Sequence, residues 1–430
     1  MPVKNSLMKS QLKGCSSLKK LIGKILRQML YFMGFMAKPL FDMANKKLDV
    51  KCLSSDGKHV FFGYYDLSPF DRNDTKVLAH RTHHPLKSPD PKSCIDIGYY
   101  EVGHLEKNSN FIKVGESSAW CWQQGSRLQW FPQNRREKTV FYNTVKANKY
   151  IGIIQDIDSR EIIREIPLPL YDISHCGNKG LSLNFSRLQR LRPGYGYTSL
   201  PDLTEKENIP KNDGVFLFNF KTEKNILLIS FDEIVNIGKM PKNWKDFQHY
   251  INHLCFNPSG TKFMFLHLLS KNHKRHSRLF VCDTDGSNLK LINDSAIVSH
   301  YTWKEDNMLL CTIYSEQSRE LRYVNYDLKS GKSEKLAPTV LRKDGHPTFI
   351  WNNTTLLTDT YPNRFRQQSL IALDIKTNYT KKKARFYRHK KFKGEVRTDL
   401  HPRVNNTESI VCIDDEFDGF KALKLLRLVG

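Results

Sequence analysis

Short runs of alternating apolar residues, each ended by a polar turn, recur along most of the chain. Between residues 59 and 157 they read HVFFGYYDLSPF, TKVLAHRTH, CIDIGYYEV, RLQWFPQ, KTVFYNTV and KYIGIIQDI, and DGVFLFNFKT and KNILLISF follow after residue 211. Alternation over four to eight residues, bounded by Gly, Asn, Asp or Ser, is typical of β-strands. The pattern predicts a chain built mainly of short strands.

Four further groups in the C-terminal half each begin near a histidine. They read INHLCFNPSGTKFMFLHL, VSHYTWKEDNMLLCTIY, DGHPTFIWNNTTLLTDTY and TDLHPRVNNTESIVCIDD, and their histidines are His253, His300, His346 and His401. The intervals of 47, 46 and 55 residues are typical of propeller blades with four strands each. With the groups upstream, this spacing predicts seven blades. We therefore expect an all-β protein, a seven-bladed β-propeller with a short N-terminal helical extension.

The last predicted blade is one strand short. From Thr398 the sequence offers three strands, and a strand near Lys47 to Leu53 would supply the fourth and close the ring, which hides the sheet edges. We place the propeller at residues 46–430. A stretch at residues 175–213 is too long for a blade turn, and long inserts in compact folds are usually functional or mobile. We expect it to lie over one mouth of the central channel.

Residues 1–45 differ in kind from the rest. The first 41 carry eight Lys or Arg and no Asp or Glu. The apolar patch MLYFMGFMA, about nine residues long, is far below the roughly 20 needed to span a bilayer, and no secretory signal is evident. Two interpretations stay open, a basic amphipathic helix on an anionic membrane surface or a helix packed on the propeller. Apolar residues recur at helical spacing, with the basic residues on the other side, at Leu18, Leu21, Ile22, Ile25, Leu26 and Met29.

Charge and cysteine usage narrow the partners and the compartment. Lys and Arg exceed Asp and Glu by 68 to 44, a net charge of +24, but they are spread through every segment and no DNA- or RNA-binding motif appears. We expect no nucleic-acid partner and favour an acidic glycan. The nine cysteines form no CxxC pair, which favours a reducing compartment. We expect a cytoplasmic protein that contacts the inner face of the membrane through its N-terminal helix.

The four blade histidines should meet at the centre. The innermost strand of every propeller blade faces one channel, so equivalent positions converge although they are distant in sequence. The histidines would then either hydrogen-bond one blade to the next or form a ligand-binding or catalytic ring, because partly buried imidazoles need partners and titrate near neutrality.

The segment INHLCFNPSGTKFMFLHLLSKNHKRHSRLFVCDTDGSN, followed by VSHYTW, resembles the oligogalacturonate lyase family of seven-bladed TolB- or WD40-like propellers. The corresponding family segments have the form "NHPxFSPDG…R(I/L)…DG" and "GHExW". The resemblance covers roughly residue 213 to the C-terminus. It implies a metal, usually manganese, that binds the uronate carboxylate, and a histidine that removes the C5 proton so that the glycosidic oxygen leaves by β-elimination.

Residue by residue, the resemblance carries over only in part. It assigns His253 as the base, His300 as a metal ligand and His401 as the first histidine of a "QxxHPH" ligand motif. The run here is TDLHPR, so Thr398 stands where the family has Gln and Arg403 where it has the second His. Two of the four implied ligands are therefore replaced.

Two arrangements would still neutralise the charge of a developing enolate, which proton abstraction beside a carboxylate requires. In the first, Arg403 pairs with the substrate carboxylate in bidentate fashion and acts with the base His253. In the second, His346 and Asp359 join His300 and His401 in a divalent metal site, with manganese as the metal that the resemblance implies.

Side chains near the starts of the first two blades are candidate sugar contacts. Aromatic rings stack on the C–H faces of sugars, while amides and carboxylates bond their hydroxyls. Arginines of the insert, Arg187, Arg190 and above all Arg192, would clamp an anionic group or only decorate a loop. The tryptophans would alternatively pack between blades. The substrate-binding candidates are Tyr65, Asp66, Trp122, Gln123, Gln124 and Arg192.

Two functions follow from these features. The first is a propeller that acts on an acidic, uronate-containing polysaccharide or oligosaccharide by β-elimination. The second is a non-catalytic glycan-binding propeller in capsule or surface-polysaccharide biosynthesis at the inner membrane.

Overall fold

The protein is a ring of seven four-stranded antiparallel sheets, as the repeat predicts. The computed structural model describes residues 3–48, 51–55, 57–103, 109–132, 138–272 and 274–428, with side chains of the first helix described from Leu18 onward. In each of the first six blades the strands follow one another in chain order from the channel outward. The all-β class and the blade number are confirmed.

The first three blades cover residues 59–230. Blade 1 contains β2 (His59–Phe61), β3 (Lys76–Thr82), β4 (Ile95–Glu101) and β5 (Ile112–Ser117). Blade 2 contains β6 (Gln129–Trp130), β7 (Thr139–Lys146), β8 (Lys149–Asp156) and β9 (Ile162–Ile166). Blade 3 contains β10 (Asp172–Ile173), β11 (Lys179–Ser182), β12 (Gly214–Asn219) and β13 (Lys224–Ser230).

The remaining blades carry the four predicted histidines. Blade 4 contains β14 (Gln248–Phe256), β15 (Lys262–Lys271), β16 (Lys274–Asp283) and β17 (Lys290–Asn293). Blade 5 contains β18 (Ile297–Glu305), β19 (Met308–Ser315), β20 (Glu320–Asp327) and β21 (Ser333–Leu336). Blade 6 contains β22 (Thr348–Ile350), β23 (Thr355–Asp359), β24 (Gln367–Asp374) and β25 (Thr380–Tyr387). Blade 7 contains β26 (Arg403–Val404), β27 (Ile410–Phe417) and β28 (Phe420–Arg427).

The fourth strand of blade 7 comes from the N-terminal side of the chain, as predicted. It is β1 (Lys51–Leu53), which pairs antiparallel with β28, Lys51 opposite Leu425 and Leu53 opposite Leu423. Residues 49 and 50 of the predicted strand lie outside the described residues. Leu53 is buried at 1 % exposure, so the pairing also fills the blade core.

Helices are confined to the N-terminus and the connections. They are α1 (Val3–Met36), α2 (Lys38–Asn45), α3 (Phe185–Leu191), α4 (Phe231–Val235) and three short 3-10 turns at Lys46–Leu48, Trp244–Asp246 and Gly394–Val396. The insert is shorter than predicted, because residues 179–182 of the predicted stretch form β11. It runs from residue 183 to residue 213, between β11 and β12, and contains α3.

One buried histidine ties blade 1 to blade 2. Its Nδ1 lies 2.8 Å from the carbonyl oxygen of Phe62, and its Nε2 accepts a hydrogen bond of 3.1 Å from the backbone N–H of Ser126. This residue, His80, is therefore a neutral imidazole with its proton on Nδ1, because Nε2 faces a donor. Burial lowers the pKa of His80 to about 4.

We expect the closing strand to be essential for stability. Leu53→Ala should lower the free energy of unfolding by about 2–5 kcal/mol, since it leaves a cavity in a well-packed core. The matched control is Leu203→Ala, because Leu203 is 92 % exposed and its truncation should change stability by about 0.5 kcal/mol or less. Urea unfolding measures both, and equal effects would refute the role assigned to the closing strand.

We also expect His80 to make the fold sensitive to acid. Its pKa is about 4 in the folded state against 6.5 as its ordinary value, so between these values the unfolded chain binds more protons and stability falls as the pH drops. The loss from this residue is about 3 kcal/mol at most. Urea unfolding at several pH values should show His80→Gln to be less stable at neutral pH but less affected by acid. An unchanged acid dependence would contradict this role.

Candidate functional site

The four blade histidines converge, as predicted, on the ring of Tyr64, which follows β2 of blade 1. The distances from the Tyr64 ring centroid are 5.1 Å to His253, 6.5 Å to His300, 5.9 Å to His346 and 5.0 Å to His401. The rings of His300 and His346 lie 4.1 Å apart and those of His346 and His401 4.3 Å apart. These side chains form the histidine cluster.

Local backbone distortions aim two of these rings. His253 lies at a bulge in β14, between the paired residues Asn252 and Cys255, and has a φ of 57°. His401, just before β26, has a φ of 46°. Residues other than glycine rarely adopt this left-handed backbone conformation, and such strain is concentrated at functional sites.

Two histidines are held through Nδ1 by acceptors of the neighbouring structure. His346 Nδ1 lies 2.9 Å from Asp359 Oδ1, and His401 Nδ1 lies 2.8 Å from the carbonyl oxygen of Gly63. Asp359 also accepts from the backbone N–H groups of His346 and His401. Burial alone would lower the pKa of His346, but Asp359 outweighs it and raises that pKa, whereas burial holds the pKa of His401 well below its ordinary value.

The other two histidines also have an oxygen within hydrogen-bond distance of Nδ1. His300 Nδ1 lies 2.9 Å from Asp344 Oδ1, and His253 Nδ1 lies 3.1 Å from the hydroxyl of Tyr171. Burial lowers the pKa of His300 and, helped by the nearby Arg192, holds that of His253 well below its ordinary value. All four rings are thus oriented by a contact at Nδ1, and Nε2 is the ring nitrogen that remains for a ligand.

Three of these Nε2 atoms have no hydrogen-bond partner in the described structure, those of His253, His346 and His401. His300 Nε2 has one long contact, 3.4 Å to the hydroxyl of Tyr361. Buried polar atoms are normally paired, and an imidazole that ligates a metal normally donates its other nitrogen to a carboxylate or carbonyl. The arrangement is what a ligand-binding centre requires.

A possible metal site lies within the cluster, with a composition different from the predicted one. Ligand atoms of His346, Asp399 and His401 lie within 4.8 Å of one another. Asp399 Oδ1 has no hydrogen-bond partner among the described residues. The predicted ligands His346 and His401 are present, but Asp359 is turned to the Nδ1 side of His346 and orients it. His300 lies beside this group and outside it.

Sequence reasoning missed Asp399 although a signal was available. It precedes His401 by two residues in TDLHPR, and a carboxylate so close to a candidate histidine is a plausible co-ligand. Its other oxygen, Oδ2, accepts a hydrogen bond of 2.6 Å from Arg397 Nε. Because Arg397 and Asp399 carry opposite charges, their pair adds no net charge to the centre.

The insert covers part of the cluster through Tyr195. The ring of Tyr195 lies 5.7 Å from that of His253, and the guanidinium of Arg192 lies 4.4 Å over the Tyr195 ring. Arg397 Nη2 donates to the Tyr195 hydroxyl at 2.6 Å. Burial alone would raise the pKa of Tyr195, but Arg397 and Arg192 outweigh it and lower that pKa. Neither Tyr195 nor Arg397 was predicted.

The cluster is closed to solvent in this structure. Exposure is 0 % for His253, 2 % for His300, 1 % for His346 and 3 % for His401. A saccharide would therefore contact these rings only in a more open arrangement of the surrounding residues.

The structure places Arg403 away from the position that direct binding of a carboxylate requires. Its Nη2 lies 2.7 Å from Asp414 Oδ2 and its Nη1 donates to the Gly63 carbonyl at 3.0 Å. The same carbonyl accepts from His401 Nδ1. Because its own blade supplies an acidic partner, Arg403 supports His401 and does not face the cluster.

Three predicted sugar contacts are also engaged in the fold. Asp66 pairs with Arg127 at 3.0 Å, both nearly inaccessible, and the Tyr65 hydroxyl donates to the carbonyl of Tyr301 at 2.7 Å. The Trp122 indole donates to a backbone carbonyl at 2.7 Å, and its ring packs on other aromatic rings. The alternative that Trp122 is a packing residue is the one the structure supports.

The remaining predicted contacts border the cluster. Gln124 donates to the hydroxyl of Tyr171, and Gln123 donates to the backbone carbonyl of Arg397. The Oε1 atoms of both glutamines and Nε of Arg192 lack partners within the described structure. In contrast, Arg187 donates its hydrogen bonds to backbone carbonyls of the insert and of β14.

No protein-family model and no curated protein sequence matches the chain. Two solved structures are similar to it in fold. An oligogalacturonate lyase in complex with manganese has a TM-score of 0.61 at 14 % identity, over 88 % of this chain and 93 % of that chain. An oligogalacturonate lyase from Vibrio parahaemolyticus has a TM-score of 0.59 at 13 % identity, with the same coverage.

The chain has the fold of these oligogalacturonate lyases. At this identity the likeness concerns the path of the backbone and not the reaction. The function of the chain depends on the residues of the cluster and not on the fold alone.

Proposed function

We propose that the chain binds an acidic saccharide at the histidine cluster and cleaves it by β-elimination. The observation that carries this proposal is the set of buried, unpartnered ligand atoms, Nε2 of three histidines and Oδ1 of Asp399, that meet at the channel centre. Each unpaired buried polar atom costs about 1–3 kcal/mol, so an arrangement without a ligand is unfavourable.

The residues fit a divalent metal ion. His346, Asp399 and His401 would hold it, since two imidazoles and a carboxylate form a common donor set for divalent transition metals. When bound, such an ion neutralises the substrate carboxylate and the enolate that develops beside it. Asp359 and the Gly63 carbonyl would keep the two imidazoles in the deprotonated, ligating orientation at Nε2.

His253 is the residue we assign as the base. Its low pKa keeps the ring neutral at physiological pH, and Nε2 is without a partner. In the reaction, Nε2 takes the proton from the carbon beside the carboxylate, the adjacent carbon–carbon bond becomes double, and the bond to the glycosidic oxygen breaks. Tyr195, whose pKa the two arginines lower, lies against the His253 ring and is the proton donor we assign to the leaving oxygen.

Arginines would select an acidic sugar. Arg192 and Arg397 flank Tyr195 on the side of the cluster that the insert covers. A guanidinium matches a carboxylate in shape and charge. Arg192, with an unpartnered Nε, is the residue we assign to the substrate carboxylate.

A second candidate function is a non-catalytic glycan-binding propeller, as in the assembly of a surface polysaccharide. The closed cluster favours it, because the four histidines are almost inaccessible. The replacements Thr398 and Arg403, relative to the ligand motif of the lyase family, point in the same direction. An activity assay separates the two candidates.

We expect one divalent ion to bind per chain. Calorimetric titration with manganese should give one site, and Asp399→Asn should weaken it strongly because it removes a ligand. Asp359→Asn should weaken it about 10- to 100-fold, since it leaves His346 unoriented. Asp158→Asn, on the surface, is the control and should bind as the parent does. If the parent binds no ion, or if Asp399→Asn binds equally well, the metal site is refuted.

We expect uronate oligosaccharides to be cleaved in the presence of manganese. The unsaturated product absorbs in the ultraviolet, which gives the measurement. His253→Gln should slow the reaction about 100- to 10,000-fold, the usual contribution of a positioned base. His83→Gln, on the exposed surface, serves as the control. Saccharide binding without cleavage, tested over several uronic acid polymers, would replace the lyase proposal with the binding protein.

A further inference from the structure

The N-terminal helices expose a continuous apolar stripe. Residues of α1 that recur at three- and four-residue intervals lie on one face, and α2 adds two exposed apolar residues. Each of these residues is between 52 % and 64 % exposed, so none of them is packed in a core. They are Leu18, Leu21, Ile22, Ile25, Leu26, Met29, Phe32, Met33, Met36, Leu40 and Met43.

The propeller contacts a different face of α1. The Tyr31 ring lies 5.8 Å from that of Tyr387 in β25, and its hydroxyl accepts from the backbone N–H of Lys390, while the Phe35 ring lies 5.9 Å from the same tyrosine. At 100° per residue, Tyr31 and Phe35 point 160° and 120° away from Met29 on the stripe, as rough values for an ideal helix. Helix packing on the propeller therefore leaves the stripe uncovered.

The backbone of α1 confirms which face is docked. A Cβ at Gly34 would lie 1.9 Å from the carbonyl oxygen of Phe365, so the helix rests directly on the loop before β24. Gly34 is buried, whereas Met33 and Met36, its neighbours on the stripe, are 57 % and 60 % exposed. The interpretation of a helix packed on the propeller therefore holds for this face, and the membrane interpretation stays a proposal for the apolar face. One face packs on blade 6 and the apolar one has no partner within the described chain.

The charge of the segment indicates what covers the stripe. Eight Lys or Arg and no Asp or Glu occur in the first 41 residues. Within the described structure Lys19, Lys20, Lys24 and Arg27 form no ion pair, and Lys390 of blade 6 adds a further cation 5.5 Å over the Tyr31 ring. An apolar stripe with basic residues on the opposite, polar face fits an anionic lipid surface, because the apolar side chains enter the acyl boundary and the cations stay within about 10 Å of the headgroups, close enough to be attracted to them.

We propose that α1 and α2 bind the protein to the surface of an anionic bilayer through this stripe. In the described part of the chain no helix is long and apolar enough to cross a membrane, so the helix lies in the interface. An α1 of 34 residues would extend about 50 Å along the surface. The proposal is independent of the reaction at the histidine cluster and stands or falls without it.

The test is flotation of the full-length protein with lipid vesicles. Vesicles of phosphatidylcholine with phosphatidylglycerol should carry the protein upward at low salt, whereas vesicles of phosphatidylcholine alone should carry little. Raising the salt should release it, because the attraction of the basic residues is screened. Replacing Lys20, Lys24 and Arg27 together by Glu should weaken binding by at least about 100-fold.

Apolar substitutions provide the matched comparison. The triple variant Ile22→Ser, Ile25→Ser, Leu26→Ser should lose binding by at least about 100-fold, because three buried aliphatic side chains are removed from the lipid. The control is Ile162→Ser, Ile163→Ser, Leu203→Ser, which changes three exposed apolar residues of the propeller and should bind as the parent does. Thermal unfolding shows whether each variant is folded.

Three results would overturn the proposal. The first is a parent that does not float with anionic vesicles at low salt. The second is a folded stripe variant that binds as well as the parent, which would leave charge alone as the cause. The third is a parent dimer, seen in sedimentation, that the stripe variant abolishes while vesicle binding is unchanged, and the stripe would then be covered by a second copy of the chain.

Discussion

The pairing of β1 with β28 is the constraint on which the rest of the structure depends. It joins residues 51–53 to the last strand of the chain and completes blade 7, so β28 is paired on both sides and the seventh sheet reaches four strands. Closure brings blade 7 against blade 1. The carbonyl of Gly63, after the first strand of blade 1, can then accept from both His401 and Arg403 of blade 7. The orientation of His401 is therefore a consequence of ring closure.

The centre of the ring departs from the rule that buried polar atoms are paired. Nδ1 of each histidine is bonded, while Nε2 of three of them and Oδ1 of Asp399 have no partner among the residues that the structure describes. A single carboxylate, Asp359, accepts from both His346 and His401 and so locks blades 6 and 7 together at this point. A fold under selection for stability alone would fill such a centre with apolar side chains. Violations of local rules are expected at functional sites, which is why these atoms carry the functional argument.

The repeat made the fold and the convergence of the histidines predictable. The similar intervals between His253, His300, His346 and His401 imply equivalent blade positions, and equivalent positions in a closed ring must meet. The roles of individual side chains were less accessible, because they depend on which partner lies across a sheet. Arg403 was assigned to the substrate, yet Asp414 on the adjacent strand β27 holds it. Asp359 and Asp399 are both near histidines in sequence, and only geometry shows which one faces inward.

Trp122 and the insert illustrate the same limit in a different way. Aromatic residues at the start of a blade can stack on a sugar or pack between blades. In the structure the Trp122 ring packs against Phe61 and Trp120, and the sequence does not show these ring contacts. The predicted insert began too early because a short strand, β11, resembles a loop when its four residues include Gly180 and Ser182. The function of the insert as a cover could be anticipated from its length. Its contact through Tyr195 could not.

Arg397 joins the cover to the centre. Its Nη2 donates to Tyr195 of the insert, and its Nε donates to Asp399 of the possible metal site. One guanidinium therefore holds the Tyr195 ring against His253 and orients Asp399 beside His346 and His401. The position of the insert and the geometry of the possible metal site thus depend on the same side chain, which could not be inferred from the separation of Tyr195 and Asp399 in sequence.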